Sequence, residues 1–274
     1  MAKGSVQARR RRRPPVALTV AGSDSGGGAG IQTDLKTFAA LGVHGMSVLT
    51  AVTAQNSLGV QGIHLVPAAM VALQMDSVLG DIGADAVKTG MVGSAEIVST
   101  VAAKVRQYGV TKLVVDPVMA AASGDRLMAP GAVATLTGEL FLLAAVVTPN
   151  LSEAEVLAGF PVQDVAAMEE AARAIARLGP RAVVVKGGHL SGDAVDVLYD
   201  GRRMHRLVST RVATTNAHGT GCTFASALAA ELAKGSGLLA AVRTAKRFVT
   251  VALKAGYRLG AGPGTGDPMA WLRK

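Results

Sequence analysis

Four clusters in the 274-residue chain carry residue types that can do chemistry. The first is Gly22-Ser23-Asp24-Ser25-Gly26-Gly27-Gly28-Ala29-Gly30. Glycines let a backbone turn sharply and approach a ligand, and a helix beginning there would favour an anionic or polar group. The run fits neither GxGxxG nor GxxxxGK[ST], so a dinucleotide fingerprint or Walker loop is not supported; a plain tight turn is the competing reading. The second cluster is Asn216-Ala217-His218-Gly219-Thr220-Gly221-Cys222-Thr223. A Gly-Thr-Gly turn opening a helix aligns free backbone N–H groups, which suits charge developing on a transferred phosphoryl group. Cys222 in that first turn is expected to be acidified by the helix terminus. A Cys222–His218 dyad is disfavoured, because the two are four residues apart across a glycine turn, and a buried inert cysteine remains the alternative.

The third cluster is acidic and lies at strand ends: Asp116 in Val115-Asp116-Pro117-Val118, and Glu153 in Pro149-Asn150-Leu151-Ser152-Glu153. Magnesium-dependent phosphoryl transfer needs few protein carboxylates, because the metal keeps waters and phosphate oxygens. Against this, Ser152 and Glu155 fit a capping box, with Glu153 as a first-turn acid. Fourth is Val183-Val184-Val185-Lys186-Gly187-Gly188-His189. A lysine leaving a buried strand can point its ammonium at a polyphosphate, or its stem can simply run out along the sheet rim. His44 and His189 read as structural or solvent-exposed.

These clusters need a scaffold that brings strand ends together. Val16–Ala21, Met46–Thr53, Ala86–Lys88, Lys112–Asp116, Ala144–Thr148 and Ala182–Lys186 read as strands. Ile31–Leu41, Ala68–Leu79, Ala95–Tyr108, Pro130–Leu140 and Val165–Leu178 read as helices between them. Almost continuously apolar strands signal burial on both faces, so an α/β fold with a mostly parallel sheet between two helical layers is expected. Val195–Tyr199 and Met204–Val208 around Asp200-Gly201 read as a hairpin, followed by helices over Gly221–Leu232 and Gly237–Leu259 and a short turn at Met269–Leu272. In open α/β sheets, ligands sit beyond the carboxyl ends of the strands, where all four clusters fall.

Composition narrows the class. Half the residues are hydrophobic and 17% are charged, which excludes a disordered chain. Six of the nine excess positive charges lie in residues 1–13, so residues 1–15 read as a disordered arginine-rich tail and 16–274 as one domain. Basic residues interleaved with aromatics are not evident beyond the tail, and no specific nucleic-acid partner is expected. The single cysteine, Cys222, excludes an internal disulfide and a multi-cysteine metal site and fits a reducing, cytoplasmic setting. Thr37–Met75 carries no charged residue, but glycines, amides and histidines interrupt it, so no membrane span is expected.

In order along residues 16–260, AGSDSGGGAGIQTDLKTF, TAVTAQN, KTGMV, VVDPVM, SGD, TPNLSEAE, VVVKGGH and NAHGTGCTFASA together resemble the hydroxymethylpyrimidine/phosphomethylpyrimidine kinases of thiamine biosynthesis, within the ribokinase-like superfamily. The resemblance implies transfer of a phosphoryl group from ATP, with Mg2+, to 4-amino-5-hydroxymethyl-2-methylpyrimidine and then to its monophosphate. By position it assigns Gln55 to the aminopyrimidine edge, where an amide can donate and accept at once. On the same resemblance Gly22, Asp34, Met91 and Val118 would complete the substrate pocket. Cys222 would lie beside the substrate hydroxyl, where it is expected to assist deprotonation, and the Gly219–Cys222 amides would form an anion hole. Lys186, Asn150 and Thr220 would serve the nucleotide phosphates and Asp116 and Glu153 the magnesium, and a homodimer is implied. Two departures stand out: Ser25-Gly26 where the family often has Pro and Ser or Thr, and a histidine-free Gly260–Pro268 segment. A pyridoxine or pyridoxal kinase of the same superfamily is the near alternative, and a non-catalytic binding protein the distant one.

Overall fold

Val16–Ala21 (β1) is buried along its whole length because its alternate residues enter two different cores. Leu18 and Val20 join Leu113, Val115, Val183 and Val185 on one face of the sheet; Ala17 joins Val114 and Val184 on the other. This two-sided burial makes the central strands read as unbroken apolar runs. The computed structural model describes residues 13–121, 124–125, 127–129, 131–188, 190 and 192–273.

After β1 come α1 (Gly30–Ala40), β2 (His44–Leu49), a ribbon of β3 (Ala51–Asn56) and β4 (Gly59–Leu65), α2 (Ala68–Asp81), β5 (Ala86–Thr89), α3 (Ala95–Gln107) and β6 (Leu113–Val115). Then follow α4 (Ala132–Thr135), continued by a π turn and a 3-10 turn to Leu143, β7 (Val146–Val147), α5 (Leu151–Ala158), α6 (Val165–Ala176) and β8 (Val183–Lys186). The hairpin β9 (Ala194–Tyr199) and β10 (Met204–Ser209), α7 (Thr220–Ala233), α8 (Leu238–Lys254) and a 3-10 turn over Pro268–Arg273 complete the chain. The main sheet has the order β10-β9-β8-β7-β6-β5-β1-β2, parallel from β8 to β2 with the hairpin antiparallel at one edge. Phe38 of α1, Phe224 of α7 and Phe248 of α8 fill the core on one face; Met75 of α2, Val101 of α3 and Met168 of α6 fill the other. The three-layer architecture is the expected one. Strand order reverses between β1 and β5, which places the ligand crevice at the carboxyl ends of those two strands.

Several boundaries move, each for a local reason. Met46–Thr53 is two strands in two sheets, because Thr50 donates its amide to Ala21 O and its hydroxyl to Met91 O and ends the main-sheet run. β4 escaped the sequence reading because Gly59, Gln61, Gly62 and His64 hide its strand character. The segment expected as a Pro130–Leu140 helix begins at Ala132 and changes pitch at Leu136; Pro130 lies outside the described residues. The last long helix stops at Lys254 instead of Leu259, after which Tyr257 pairs with Thr265 in both directions at 3.0 Å. Within the expected tail, Arg13 reaches Asp85 at 3.0 Å and Pro15 O accepts from His44 N; residues 1–12 lie outside the described residues.

Candidate active site

β8 delivers Lys186 and β6 delivers Asp116 to the same end of the sheet, where Nζ and Oδ1 meet at 2.9 Å. Thr148, after β7, donates to the same Oδ1 at 3.0 Å. Burial alone would lower the Lys186 pKa, but Asp116 and Glu153 more than offset it and hold the ammonium charged above its ordinary range. Behind it, Asp196 of β9 accepts from Gly187 N at 3.1 Å and from Lys246 of α8 at 2.8 Å, fixing the chain as it leaves β8.

The N-terminus of α7 faces this pair. Gly219 caps the helix with φ +77°, and a Cβ there would lie 1.9 Å from Gly28 O, so only glycine allows the two loops to touch. A Cβ on Gly221 would sit 3.2 Å from Lys186 Nζ and 3.7 Å from Asp116 Oδ2, which measures how closely the helix end approaches the ion pair. Thr220 turns its amide and hydroxyl back to Ala217 O, and Thr223 N donates to Gly219 O. The anion-binding potential of the turn therefore rests on Gly221 and Cys222 more than on Thr220, whose expected place at the nucleotide the structure does not favour.

The expected acidification of Cys222 is reversed. Burial pushes its thiol up to about 11; the Lys88 ammonium pulls it down, while Asp34 and Asp116 push it further up. Desolvation and the two carboxylates outweigh the Lys88 ammonium and the Gly30 amide that donates toward the sulfur, so the thiol of the half-buried Cys222 is held above its ordinary range.

Asp34 also departs from expectation. Its carboxylate is fully buried one turn into α1, where it accepts from Thr19 Oγ1 at 2.6 Å, Lys88 Nζ at 2.8 Å and Ser226 Oγ. It is a support beneath the pocket, not part of its lining. Burial would lower the Lys88 pKa, but Asp34, Cys222 and Asp116 together raise it, so the ion pair persists with neither partner exposed. This cluster ties β1, α1, β5 and α7 together directly below both helix N-termini. It was missed in the sequence; the signal available was a lysine inside the apolar run Ala86-Val87-Lys88.

Asn150 and Glu153 form the N-terminal cap of α5: Asn150 Oδ1 accepts from Glu153 N at 2.9 Å and Glu153 Oε2 from Asn150 N at 2.8 Å. The capping box thus starts two residues before the expected Ser152, and Glu155 instead accepts from Val162 N. Burial pushes the Glu153 carboxyl up to about 7; Lys186 opposes this and Asp116 adds to it.

Across the crevice, Gly22 and Met91 are brought together: a Cβ on Gly22 would lie 3.0 Å from Met91 Sδ. Val118, half-buried, follows Asp116 in a tight turn closed by Val118 N to Asp116 O at 2.8 Å. Gln55, on β3, is half-buried above the glycine loop. That loop is organised by Asp24, whose carboxylate accepts from Gly26, Gly28 and Ala29 N and contacts His218 Nε2 at 3.1 Å. Burial raises the Asp24 pKa, but His218 and the amides bring it below its ordinary value. His218 is thereby a clasp between the two glycine turns. His44 is exposed at the start of β2, and His189 lies outside the described residues.

A lysine–carboxylate pair at a helix N-terminus, beyond the strand ends of a three-layer α/β sheet, defines a phosphotransferase of the ribokinase-like class. Residues 24–267 match the family model described as phosphomethylpyrimidine kinase, and the chain belongs to that family. It is 54% identical over 254 residues to the hydroxymethylpyrimidine/phosphomethylpyrimidine kinase of Streptomyces coelicolor, covering 93% of this chain and 94% of that one. It is 56% identical over 248 residues to the thiamine biosynthesis bifunctional protein of Geobacter sulfurreducens, covering 90% of this chain but spanning only 51% of that longer protein. Among solved structures, the ADP complex of Bacillus subtilis pyridoxal kinase superposes with a TM-score of 0.87 at 39% identity, covering 94% of this chain and 99% of that one.

Proposed function

We propose that this kinase phosphorylates the hydroxymethyl group of 4-amino-5-hydroxymethyl-2-methylpyrimidine with ATP and then phosphorylates the monophosphate to the diphosphate, as a step of thiamine biosynthesis. The observation that carries the chemistry is the approach of the Lys186–Asp116 pair to Gly221 at the start of α7. Lys186 binds the transferring phosphate as a point charge, and the Gly221 and Cys222 amides neutralise charge that grows on it. The oxygens of Asp116 and Glu153 suit magnesium, which prefers hard donors and keeps most of its own shell of waters and phosphate oxygens. A buried Glu153 carboxyl pushed up to about 7 is one that a nearby cation would relieve. Magnesium, when bound, supplies charge neutralisation at the phosphates.

Cys222 remains protonated at neutral pH and so serves the substrate hydroxyl as a hydrogen-bonding neighbour, not as a thiolate base. A loose phosphoryl-transfer transition state asks little of a base. Cys222→Ser keeps a donor and acceptor in place and is expected to lower kcat by less than about tenfold; a fall of the about 100-fold or more that loss of a general base brings would restore a basic role for the thiol.

Gln55 reads the amino and ring-nitrogen edge of the pyrimidine, while Gly22, Met91 and Val118 pack against the ring. Pyridoxal phosphorylation is the second reading, favoured by the likeness to the B. subtilis enzyme. We further propose a homodimer, because Val52, Ile63 and Leu65 of the β3–β4 ribbon and Met70 and Leu73 of α2 are exposed apolar residues. No helix among the described residues is long and apolar enough to cross a membrane. The single cysteine supports a reducing, cytoplasmic setting. Incubation with magnesium ATP and the pyrimidine, followed by phosphorus NMR, tests the assignment: a monophosphate signal giving way to a diphosphate supports it, and ADP release without either product contradicts it.

A further inference from the structure

The β3–β4 pairing is regular from Ala51 opposite Leu65 to Ala54 opposite Gly62, and then slips, so that Gln55 lies opposite Val60. A bulge of this kind breaks the ladder locally and re-aims the side chains beside it. The other edge of β3 is held by the glycine loop, at alternate residues. Ser23 N donates to Ala51 O at 2.9 Å, and Thr53 Oγ1 donates to Ser23 O at 2.8 Å. At the third position Ser25 Oγ donates to Gln55 O at 2.9 Å and accepts from Gln55 N at 2.8 Å. One hydroxyl thus supplies both bonds that a neighbouring strand would give to a paired residue. Thr53 Oγ1 also lies 3.4 Å from Gln55 Oε1, at the amide itself.

We propose that Ser25 is a positioning residue for substrate recognition: its hydroxyl locks the Gln55 peptide to the glycine loop where the ribbon's own pairing fails, and so sets the direction in which the Gln55 amide meets the aminopyrimidine. The inference rests on the reading of Gln55 given above. Ser25 sits in the loop that continues into α1, so it couples the substrate-reading side chain to the fixed end of the main sheet. A bare glycine or alanine there would leave the Gln55 backbone to the solvent.

Steady-state kinetics on Ser25→Ala, Ser25→Thr, Gln55→Ala and the Ser25→Ala/Gln55→Ala double variant tests this, with aminopyrimidine, pyridoxal and ATP each varied in turn. Ser25→Ala is expected to raise the KM for the aminopyrimidine about tenfold, a loss near 1.4 kcal/mol, with kcat and the KM for ATP within about twofold of the parent. Ser25→Thr, which keeps the hydroxyl, restores the parent KM. The double variant should resemble Gln55→Ala alone, because without the amide there is nothing left to aim. Parent-like kinetics in Ser25→Ala beside a raised KM in Gln55→Ala would overturn the role of Ser25 and leave the Gln55 reading intact. Parent-like kinetics in both would overturn both. Equal losses on aminopyrimidine, pyridoxal and ATP in Ser25→Ala would mean general loosening of the loop and would likewise overturn the proposal.

Discussion

The two sides of the crevice are built by different means. On the phosphate side, Lys186, Asp116 and Thr148 stand at the ends of adjacent parallel strands, and charge meets charge at 2.9 Å in a nearly dry setting. Beneath it, Lys88 and Asp34 form an ion pair with no exposure at all. The substrate side hangs on the β3–β4 ribbon, a separate two-stranded sheet in which every residue of β4 is at least partly exposed. An isolated ribbon of this kind is only marginally stable by itself and takes its order from what it is stitched to. On the proposed reading, phosphate chemistry, which needs fixed charges, would be carried by the sheet, and recognition of the ring by an attachment outside it. The chain is similar both to a hydroxymethylpyrimidine/phosphomethylpyrimidine kinase and to a pyridoxal kinase.

Substitutions should separate the two sides. Lys88→Met, which leaves Asp34 buried without its cation, is expected to cost about 3–5 kcal/mol of stability and to damage both sides together, read from urea unfolding midpoints. Lys186→Ala should lose about 100- to 1000-fold in kcat, on pyrimidine and pyridoxal alike, because it removes one fixed charge from the transferring phosphate. Gln55→Ala should act on one substrate only, raising the KM for the aminopyrimidine about tenfold or more while sparing kcat and the KM for ATP. If Lys186→Ala discriminated between ring substrates, or Gln55→Ala depressed kcat equally on both, the division of labour would fail.

The smallest effect concerns pH. Since burial pushes Glu153 up to about 7 from an ordinary 4.5, the folded protein retains a proton that the unfolded chain has already released between those values. Stability contributed by this group is therefore full below about pH 4.5 and lost as pH rises through 7. Glu153→Gln keeps the amide-accepting half of the α5 cap and removes the titration. Without magnesium, its melting temperature should match the parent at pH 4 and exceed it by a few degrees at pH 8; a difference independent of pH would remove the titration from this site.

How much of this was legible in the sequence follows the same division. Apolar strands that end in Lys186 or Asp116 announce both the sheet and the phosphate site, because two-sided burial and a charge at a strand end leave few other structures open. The first residues of β3 read as the tail of a single Met46–Thr53 strand and β4 does not read as a strand at all, since nothing in the local pattern marks the exit at Thr50. That exit depends on hydrogen bonds to Ala21 and Met91, which are distant in sequence. The Lys88–Asp34 pair was equally hidden: only tertiary proximity shows that a lysine in β5 and an aspartate in α1 neutralise each other. Cys222 shows the limit of local rules. Its place in a helix's first turn predicts a more acidic thiol, whereas desolvation of the half-buried side chain, with Asp34 and Asp116 nearby, pushes it the other way.

The central claim is that one sheet-mounted phosphate site serves a ribbon selective for the aminopyrimidine. Its most direct test is a coupled ADP-release assay with magnesium ATP, comparing kcat/KM for the hydroxymethylpyrimidine, its monophosphate and pyridoxal side by side. Turnover of both pyrimidines with a kcat/KM at least tenfold above that for pyridoxal is the predicted result. Preference for pyridoxal would leave the phosphate site standing and contradict the assignment of Gln55 and its ribbon.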